Sequence, residues 1–207
     1  YMPENAAITA DRIYDALSQR IIRGDLAPGE KLRQDHIARE FDTSHVPVRE
    51  ALLKLQAHGL AVSQPRRGMR VSALDPAELR EITEMRVALE DLALQHSCFQ
   101  MTNADFAAAD AARKACDEAE DLPTWEALNR AFHRAILAPC GMPRLLATID
   151  DLHMASARHL LANWQSGWQQ REDKEHAAIL MLMRRRDVDA ARELLRRHLR
   201  RADRISR

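Results

Sequence analysis

The sequence predicts a mainly α-helical chain in two parts, a winged helix-turn-helix over residues 9–74 and an all-helical bundle over residues 76–204. Short amphipathic helices followed by a cationic β-hairpin indicate the first part. A long stretch rich in Ala, Leu, Arg and Glu, in which strand signals stop, indicates the second part. A length of 207 residues with 46% hydrophobic residues is enough for two small cores.

The first predicted helix, Asp11–Arg23, carries Ile13, Leu17 and Ile21 at a spacing of four residues. This spacing places the three side chains on one face of an amphipathic helix. Gly24 is a typical residue to end the helix, because glycine accepts the left-handed conformation of a helix C-terminus. We expect this helix to pack against the helix-turn-helix.

The helix-turn-helix begins with a segment whose apolar edge is formed by Ile37, Ala38 and Phe41. Asp42-Thr43 interrupts this segment, and Ser44 stands where its side chain can cap a second helix. The pattern therefore predicts two short helices joined by a tight turn.

The second helix is predicted to face the core with Val48, Leu52 and Leu55, which repeat at i, i+4 and i+7. Pro47 falls in its first turn, where a missing N–H has no helical partner to lose. Gly59 is placed to end the helix. The opposite side of its N-terminal turns is left exposed and available to a partner.

Two β-like runs, Leu60–Ser63 and Met69–Ser72, follow this helix. The turn between them contains Arg66 and Arg67, and Arg70 comes just after it. Pro and Gly in the connecting segment favour a tight turn between two strands. A cationic hairpin that follows a helix-turn-helix predicts a winged helix.

The bundle is predicted to start at Pro76, because proline suits the first turn of a helix. Turn-forming residues then divide the remaining chain into six helical segments. These breaks fall at Met101–Asn103, Asp121–Pro123, Pro139–Pro143, Ser166-Gly167 and Arg186-Asp187. The simplest interpretation of such a bundle is a dimerisation module.

The overall charge does not indicate a partner, because the formal net charge is +0. Residues 33–72, however, carry seven Lys/Arg against four Asp/Glu, which gives a positive excess near the hairpin. Cys98, Cys116 and Cys140 form no CxxC pair, so neither a disulfide framework nor a thiolate metal site is expected. With no signal-peptide pattern and no apolar run of about 18 residues, we expect a cytoplasmic protein without a membrane span.

Four motifs stand out in the N-terminal part: Pro28–Leu32, Ser44–Leu52, Gly59-Leu60 and Gly68–Val71. Together they closely resemble the DNA-binding domain of GntR-type bacterial transcription regulators. The resemblance implies binding to a double-stranded DNA operator through a set of recognition-helix and wing residues. These are Arg33, Ser44, His45, Arg49, Arg66, Arg67, Gly68 and Arg70.

One residue in this set departs from the family, which usually has Arg where this chain has His45. A base or phosphate contact made from that position is therefore expected to be weaker or to depend on pH.

In the second part, Asn129 and His133 are four residues apart on one predicted helix, so they share a face. His176 and His198 each lie eleven residues from Asp187, the expected turn between the last two helices. In an antiparallel pair, equal distances from the turn place both histidines at one level. Three imidazoles and an amide oxygen could then bind a divalent ion such as Zn²⁺, Ni²⁺ or Mn²⁺.

Chance offers an alternative, because a chain with nine histidines places some of them on helix faces without any metal. Spacing alone favours this ordinary interpretation. The order of four further motifs changes that balance: Glu84–Glu90, Asn129–His133, Glu175–Ile179 and His198-Leu199. They resemble the effector domain of the FadR subgroup of GntR regulators, in the subset that binds a metal through one Asp and three His.

The resemblance implies a metal site formed by Asn129, His133, His176 and His198, with Asn129 in place of the family's Asp. A neutral amide ligand is expected to weaken the site or change its metal preference. The resemblance also implies an effector site for a small carboxylate.

Arg86 and Glu90, four residues apart, are the main candidates for this effector site, and Arg158 is a further candidate for its lining. The guanidinium fork suits a carboxylate. A plain surface ion pair between Arg86 and Glu90 remains the alternative interpretation.

The expected function is a homodimeric repressor, released from a palindromic operator by a small organic acid bound next to a metal ion. A regulator that senses the metal itself is an alternative. A metal-dependent hydrolase is a weaker alternative, because the sequence contains no HExxH, no His-Asp dipeptide and no nucleophile motif. We therefore expect no enzymatic activity.

Overall fold

The computed structural model describes residues 4–164, 169–170 and 172–205, with side chains described for 9–162, 169–170 and 172–201. The chain separates into two compact units, Tyr1–Asp75 and Pro76–Arg207. The described part contains nine α-helices and a two-stranded sheet. In chain order these are α1 (Glu4–Arg23), α2 (Gln34–Glu40), α3 (His45–Ala57), β1 (Ala61–Gln64), β2 (Gly68–Val71), α4 (Pro76–Gln100), α5 (Asn103–Asp117), α6 (Leu122–Leu137), α7 (Pro143–Trp164), α8 (Lys174–Arg184) and α9 (Val188–Ile205).

The first unit is built around the apolar faces of α1 and α3. Five side chains of one core cluster have at most 1% of their surface exposed. They are Ile13 and Leu17 of α1 and Val48, Leu52 and Leu55 of α3. The spacing read from the sequence therefore selects the buried faces correctly. Helix α1 starts earlier than the sequence predicts, because the Ala-containing segment before its amphipathic part has high helix propensity.

The turns of the first unit use left-handed backbone conformations. Asp42, in the turn between α2 and α3, has φ of 48°, and Gly59, just after α3, has φ of 72°. Aspartate tolerates this region better than most residues, and glycine does so without strain. Ser44 is the N-cap residue of α3, but its side chain makes no capping hydrogen bond.

The wing is an antiparallel hairpin in which Ala61 pairs with Val71 and Gln64 pairs with Gly68. Its turn is closed by Arg66 and Gly68, which have φ of 63° and 76°. The winged helix-turn-helix predicted from the sequence is therefore confirmed.

The described part of the second unit contains six α-helices, α4 to α9, in agreement with the six predicted segments. Its core cluster includes Phe132, Ile136, Ile179 and Met183, all fully buried. The break expected at Ser166-Gly167 lies outside the described residues. Among the helices that the structure describes, none has the length and hydropathy that a membrane span requires.

Candidate functional site

Three buried histidines from three helices converge inside the second unit. His133 of α6, His176 of α8 and His198 of α9 each offer a ring nitrogen, and these atoms lie within 4.8 Å of one another. Nε2 of His176 and Nε2 of His198 are 3.2 Å apart. The convergence of His176 and His198 follows from their equal distances from the turn before α9.

His133 is oriented by a buried carboxylate. Oε2 of Glu90 lies 2.9 Å from Nδ1 of His133, and Glu90 is fully buried. Burial acts to raise the pKa of Glu90, but Arg86, His153 and His133 together hold that pKa well below its usual range. Because Glu90 is ionised, we assign the proton to Nδ1 of His133, which leaves a lone pair on Nε2.

His198 is oriented in the same way by a second carboxylate. Oε2 of Glu175 lies 2.8 Å from Nδ1 of His198, and Oε1 of Glu175 pairs with Arg201 at 3.1 Å. The hydrogen bond from His198 lowers the pKa of Glu175. Nε2 of His198 therefore also presents a lone pair.

His176 is fixed by packing and by the start of its helix. Its ring stacks on Phe132 with the centroids 4.2 Å apart. Oδ1 of Asp173 accepts hydrogen bonds from the backbone N–H groups of Glu175 and His176, at 3.0 and 3.3 Å. Burial, with the nearby His198, lowers the pKa of His176 well below its usual value. The ring is therefore neutral, as a metal ligand must be.

This arrangement fits a divalent metal ion. Two nitrogens that bind one Zn²⁺ at ~2.0–2.1 Å lie about 3.3 Å apart at a tetrahedral angle, close to the separation of the His176 and His198 nitrogens. Nε2 of His133 and Oδ1 of Asn129 are buried atoms without a hydrogen-bond partner in the described part of the chain. Since Asn129 lies one turn before His133 on α6, a bound ion would account for both atoms.

Arg86 extends the cluster towards α7. Its Nε donates to Oε1 of Glu90 at 2.9 Å, and its Nη1 donates to Oγ of Ser156 at 3.2 Å. Its Nη2 lies 3.3 Å from Nε2 of His153. Burial, together with the charge of Arg86, lowers the pKa of His153 to about 4, so this ring is neutral. A guanidinium has five N–H groups, and three contacts leave two of them for a ligand.

A second Arg–Glu pair lies on α6. Nε of Arg130 is 2.9 Å from the carboxylate of Glu126, and burial raises the pKa of Glu126. Nη1 of Arg130 donates to the sulfur of Met154 at 2.7 Å. The charges of Arg130 and Arg86 oppose this shift in the pKa of Glu126.

The remaining effector candidate, Arg158, is buried on α7. Burial lowers its pKa, and the charge of Glu78 opposes that shift. Its assignment to the effector site stays a prediction.

Some residues of this site were not found from the sequence. His153 and Ser156 contact Arg86 across 67 and 70 residues of the chain, and no local spacing signals such a contact. Glu175, which orients His198, lies directly before His176 in the sequence. A carboxylate next to a candidate metal ligand is the sequence signal that could have indicated this role.

The expected DNA-contacting residues belong to the first unit. Arg33, Arg49, Arg66 and Arg67 are exposed, and no ion pair or side-chain hydrogen bond holds them among the described residues. Arg49 lies in the first turns of α3, the expected recognition helix. These four cations are free to contact phosphates or bases.

Two other residues of the expected DNA surface have contacts within the unit. Nη1 of Arg70 donates to the backbone oxygen of Gly29 at 2.8 Å, so part of this guanidinium holds the base of the wing. Nε2 of His45 lies 3.7 Å from a carboxylate oxygen of Asp35. A role for either residue in DNA contact stays a prediction.

Comparison with known proteins identifies both units. Residues 9–71 match the family described as bacterial regulatory proteins, gntR family, and residues 81–201 match the FCD domain. The HTH-type transcriptional repressor GlaR of Escherichia coli (strain K12) is 32% identical over 200 residues, which cover 90% of each chain. The HTH-type transcriptional repressor RspR of the same strain is 25% identical over 198 residues, covering 91% of this chain and 84% of RspR.

Solved structures agree with this assignment. The structure of E. coli McbR/YncC superposes with a TM-score of 0.81 at 22% sequence identity. The match covers 93% of this chain and 94% of that chain, which shows that the two share a fold. A GntR family member from Pseudomonas syringae pv. tomato str. DC3000 is 30% identical with a TM-score of 0.57, over 96% of this chain and 86% of that one. The chain therefore belongs to the GntR family of bacterial transcriptional regulators, with a winged DNA-binding domain followed by an FCD domain in the FadR-like arrangement.

Proposed function

We propose that this regulator is a repressor, released from a palindromic operator when a small organic acid binds beside a divalent metal ion in the FCD domain. The observation that carries the proposal is the buried cluster of His133, His176 and His198, whose ring nitrogens converge. The similarity of this chain to GlaR, which is named as a repressor, supports repression over activation.

The metal ion would be held by the three histidines and by Oδ1 of Asn129. Glu90 and Glu175 fix the rings of His133 and His198, so two of the lone pairs point inward before any ion binds. Nitrogen-rich ligands favour Zn²⁺ or Ni²⁺, while the amide oxygen also admits Mn²⁺. A bound ion with open coordination positions would attract the carboxylate oxygens of an effector.

Arg86 would anchor the acid from the side opposite to the metal. It is held in place by Glu90 and Ser156 and keeps two N–H groups for a ligand. A planar guanidinium matches two carboxylate oxygens. Glu90 links this anchor to the ring of His133, so the metal and the effector would act on one connected group of side chains.

DNA would be bound through α3 and the wing. Arg49 projects from the first turns of α3, where it can reach base edges, and Arg66 and Arg67 of the wing can reach phosphate or the minor groove. The remaining contacts are assigned to Arg33, Ser44, His45, Gly68 and Arg70.

A homodimer would match a palindromic operator, since one winged helix reads only a few base pairs. Helix α4 offers a suitable surface, because Met85, Leu92 and Phe99 are exposed by 42%, 40% and 64% and recur every seven residues. This spacing places the three side chains along one stripe of the helix. We call Met85, Leu92 and Phe99 the α4 stripe.

Titration of the metal and the acid against operator binding tests the proposed function. The operator is first obtained by selection from random DNA, and its binding is followed by fluorescence anisotropy at fixed salt. We expect metal-loaded protein to release it when a panel of small carboxylates is added, and chelator-treated protein to ignore the panel. Release by metal alone would make the ion the signal. A protein that takes up no ion after supplementation would overturn the proposal.

A further inference from the structure

The surroundings of the proposed effector site contain a second guanidinium, that of Arg130, which has no role in the proposed metal and carboxylate site. Building on the proposed function, we infer that Arg130 is a second anchor and that the effector is therefore a dicarboxylate. In this arrangement one acid group lies between the metal and Arg86, and the other binds Arg130.

Both arginines contact α7 within a short segment of that helix. Arg86 of α4 contacts His153 and Ser156, and Arg130 of α6 contacts Met154. Residues 153 to 156 span a single helical turn. Two guanidinium groups from different helices therefore reach the same turn of α7.

Arg130 also has N–H groups that a ligand can take up. Its Nη1 donates to a thioether sulfur, which is a weak acceptor. Its Nε is occupied by Glu126, and Nη2 has no hydrogen bond in the described part of the chain. A carboxylate oxygen would give Nη1 and Nη2 stronger, charge-assisted hydrogen bonds.

Both arginines are held in the same way. Each is paired at 2.9 Å with a buried glutamate four residues away on its own helix, Glu90 for Arg86 and Glu126 for Arg130. Such pairs fix the guanidinium before a ligand binds, so little conformational entropy is lost on binding. They also neutralise each arginine in the absence of effector, which reduces the repulsion between the buried Arg86 and the partly exposed Arg130.

Matched acids test the inference with the full-length, zinc-loaded protein. Succinate is compared with butyrate, and glutarate with valerate, because each pair has a similar carbon chain and differs by one carboxylate. Binding is measured by isothermal titration calorimetry. We expect each dicarboxylate to bind about tenfold or more tightly than its partner, the order of magnitude for a charged hydrogen bond. Equal affinities within each pair would overturn the inference.

Substitution of Arg130 locates the second acid group. Arg130→Gln is expected to reduce dicarboxylate affinity to the level of the monocarboxylate and to leave monocarboxylate affinity unchanged, whereas Arg130→Lys keeps part of the preference. Arg134→Gln is the matched control, since Arg134 lies one turn further along α6 and pairs with Asp150 at the surface. A dicarboxylate preference that survives Arg130→Gln in folded protein would assign the second group elsewhere and overturn the inference.

These measurements separate the inference from the proposed function. If mono- and dicarboxylates bind with equal affinity, the metal-assisted carboxylate site remains supported and only the proposed role of Arg130 is wrong. If no carboxylate binds the zinc-loaded protein, the proposed carboxylate site itself is wrong. Circular dichroism of each variant establishes that a loss of binding is not a loss of fold.

Discussion

Among single residues, His176 decides whether the cluster is a metal site or an ordinary part of the core. His176→Ala removes one of the converging nitrogens, so we expect the protein to lose stoichiometric metal and its response to the acid. Operator binding in the absence of effector should persist, because the residues proposed to contact DNA belong to the other unit. Metal content is measured by mass spectrometry after dialysis.

The control for His176→Ala is His96→Ala, which removes a half-buried histidine of the same unit that is not part of the cluster. It should retain the ion and the response. Retention of one ion per chain by His176→Ala would show that the histidines are packing residues.

Glu90 is predicted to contribute to both stability and metal binding, because its one carboxylate contacts Arg86 and His133. In Glu90→Gln the buried Arg86 loses its counter-charge, which should lower the free energy of unfolding by about 3 kcal/mol. The loss of the ionised acceptor for His133 should weaken metal binding by roughly 10- to 100-fold. Urea unfolding in chelator measures the first effect, and metal titration measures the second.

A matched substitution on the same helix is Glu84→Gln, because Glu84 is exposed and pairs with Arg200 at the surface. It should change the free energy of unfolding by no more than about 1 kcal/mol. Equal stability of the two variants would mean that Glu90 does not compensate Arg86.

The convergence of the three histidines could be predicted from the sequence, whereas the residues around them could not. His133 shares a helix face with Asn129, and His176 and His198 are symmetric about a turn, so local geometry placed each pair together, while the family resemblance indicated that the four residues form one site. His153 meets Glu90 at 3.1 Å only because α7 crosses α4 at that level, and this packing depends on many side chains at once. Spacing rules apply within one helix or between neighbouring helices in the chain.

At the level of elements, α3 is predicted to carry operator specificity through Arg49. Arg49→Ala removes an exposed guanidinium that no other described residue holds, so operator affinity should fall by about 1–3 kcal/mol while the folding of the unit is unchanged. Arg12→Ala, an exposed change on α1, is the control. Fluorescence anisotropy at matched salt measures the affinities for operator and for random DNA. If Arg49→Ala kept both affinities at the wild-type level, the prediction would be wrong.

Helix α4 is predicted to form the dimer contact through the α4 stripe. Leu92 is midway between Met85 and Phe99, so two antiparallel copies with a two-fold axis at Leu92 would place Met85 of each copy against Phe99 of the other. Leu92→Lys would bring two like charges together on that axis, and we expect a monomer at micromolar concentration with weakened operator binding. Light scattering measures the mass.

Met181→Lys provides the comparison for the α4 stripe, because Met181 is also an exposed apolar residue, at 44%, but lies on α8. It should leave the dimer intact. A dimer that survives Leu92→Lys would place the interface on another surface.

Elements were easier to predict from the sequence than their ends. Val48, Leu52 and Leu55 fixed the buried face of α3 because a period of 3.6 residues leaves little choice. The start of α1 was missed because the segment before Asp11 has helix propensity but no amphipathic pattern. The side-chain cap expected from Ser44 does not form, although its backbone takes the N-cap conformation.

For the whole molecule, regulation requires that the acid and the operator influence each other through the equilibrium between two states of the chain. The acid can weaken operator binding only by its differential affinity for those states. A coupling free energy of ~1–3 kcal/mol would change operator affinity by about 5- to 150-fold. Because this coupling is reciprocal, saturating operator should weaken binding of the acid by the same factor.

Two titrations on metal-loaded protein test this reciprocity. Calorimetry gives the affinity for the acid with and without saturating operator, and anisotropy gives the affinity for operator with and without saturating acid. The two factors should agree, and random DNA at the same concentration should leave the affinity for the acid unchanged. The acid could release operator and yet bind the protein equally well with and without saturating operator. In that outcome the release comes from another cause, such as removal of the metal by the acid. In that case His176→Ala and the acid would produce the same state of the protein, and the metal would be the physiological signal.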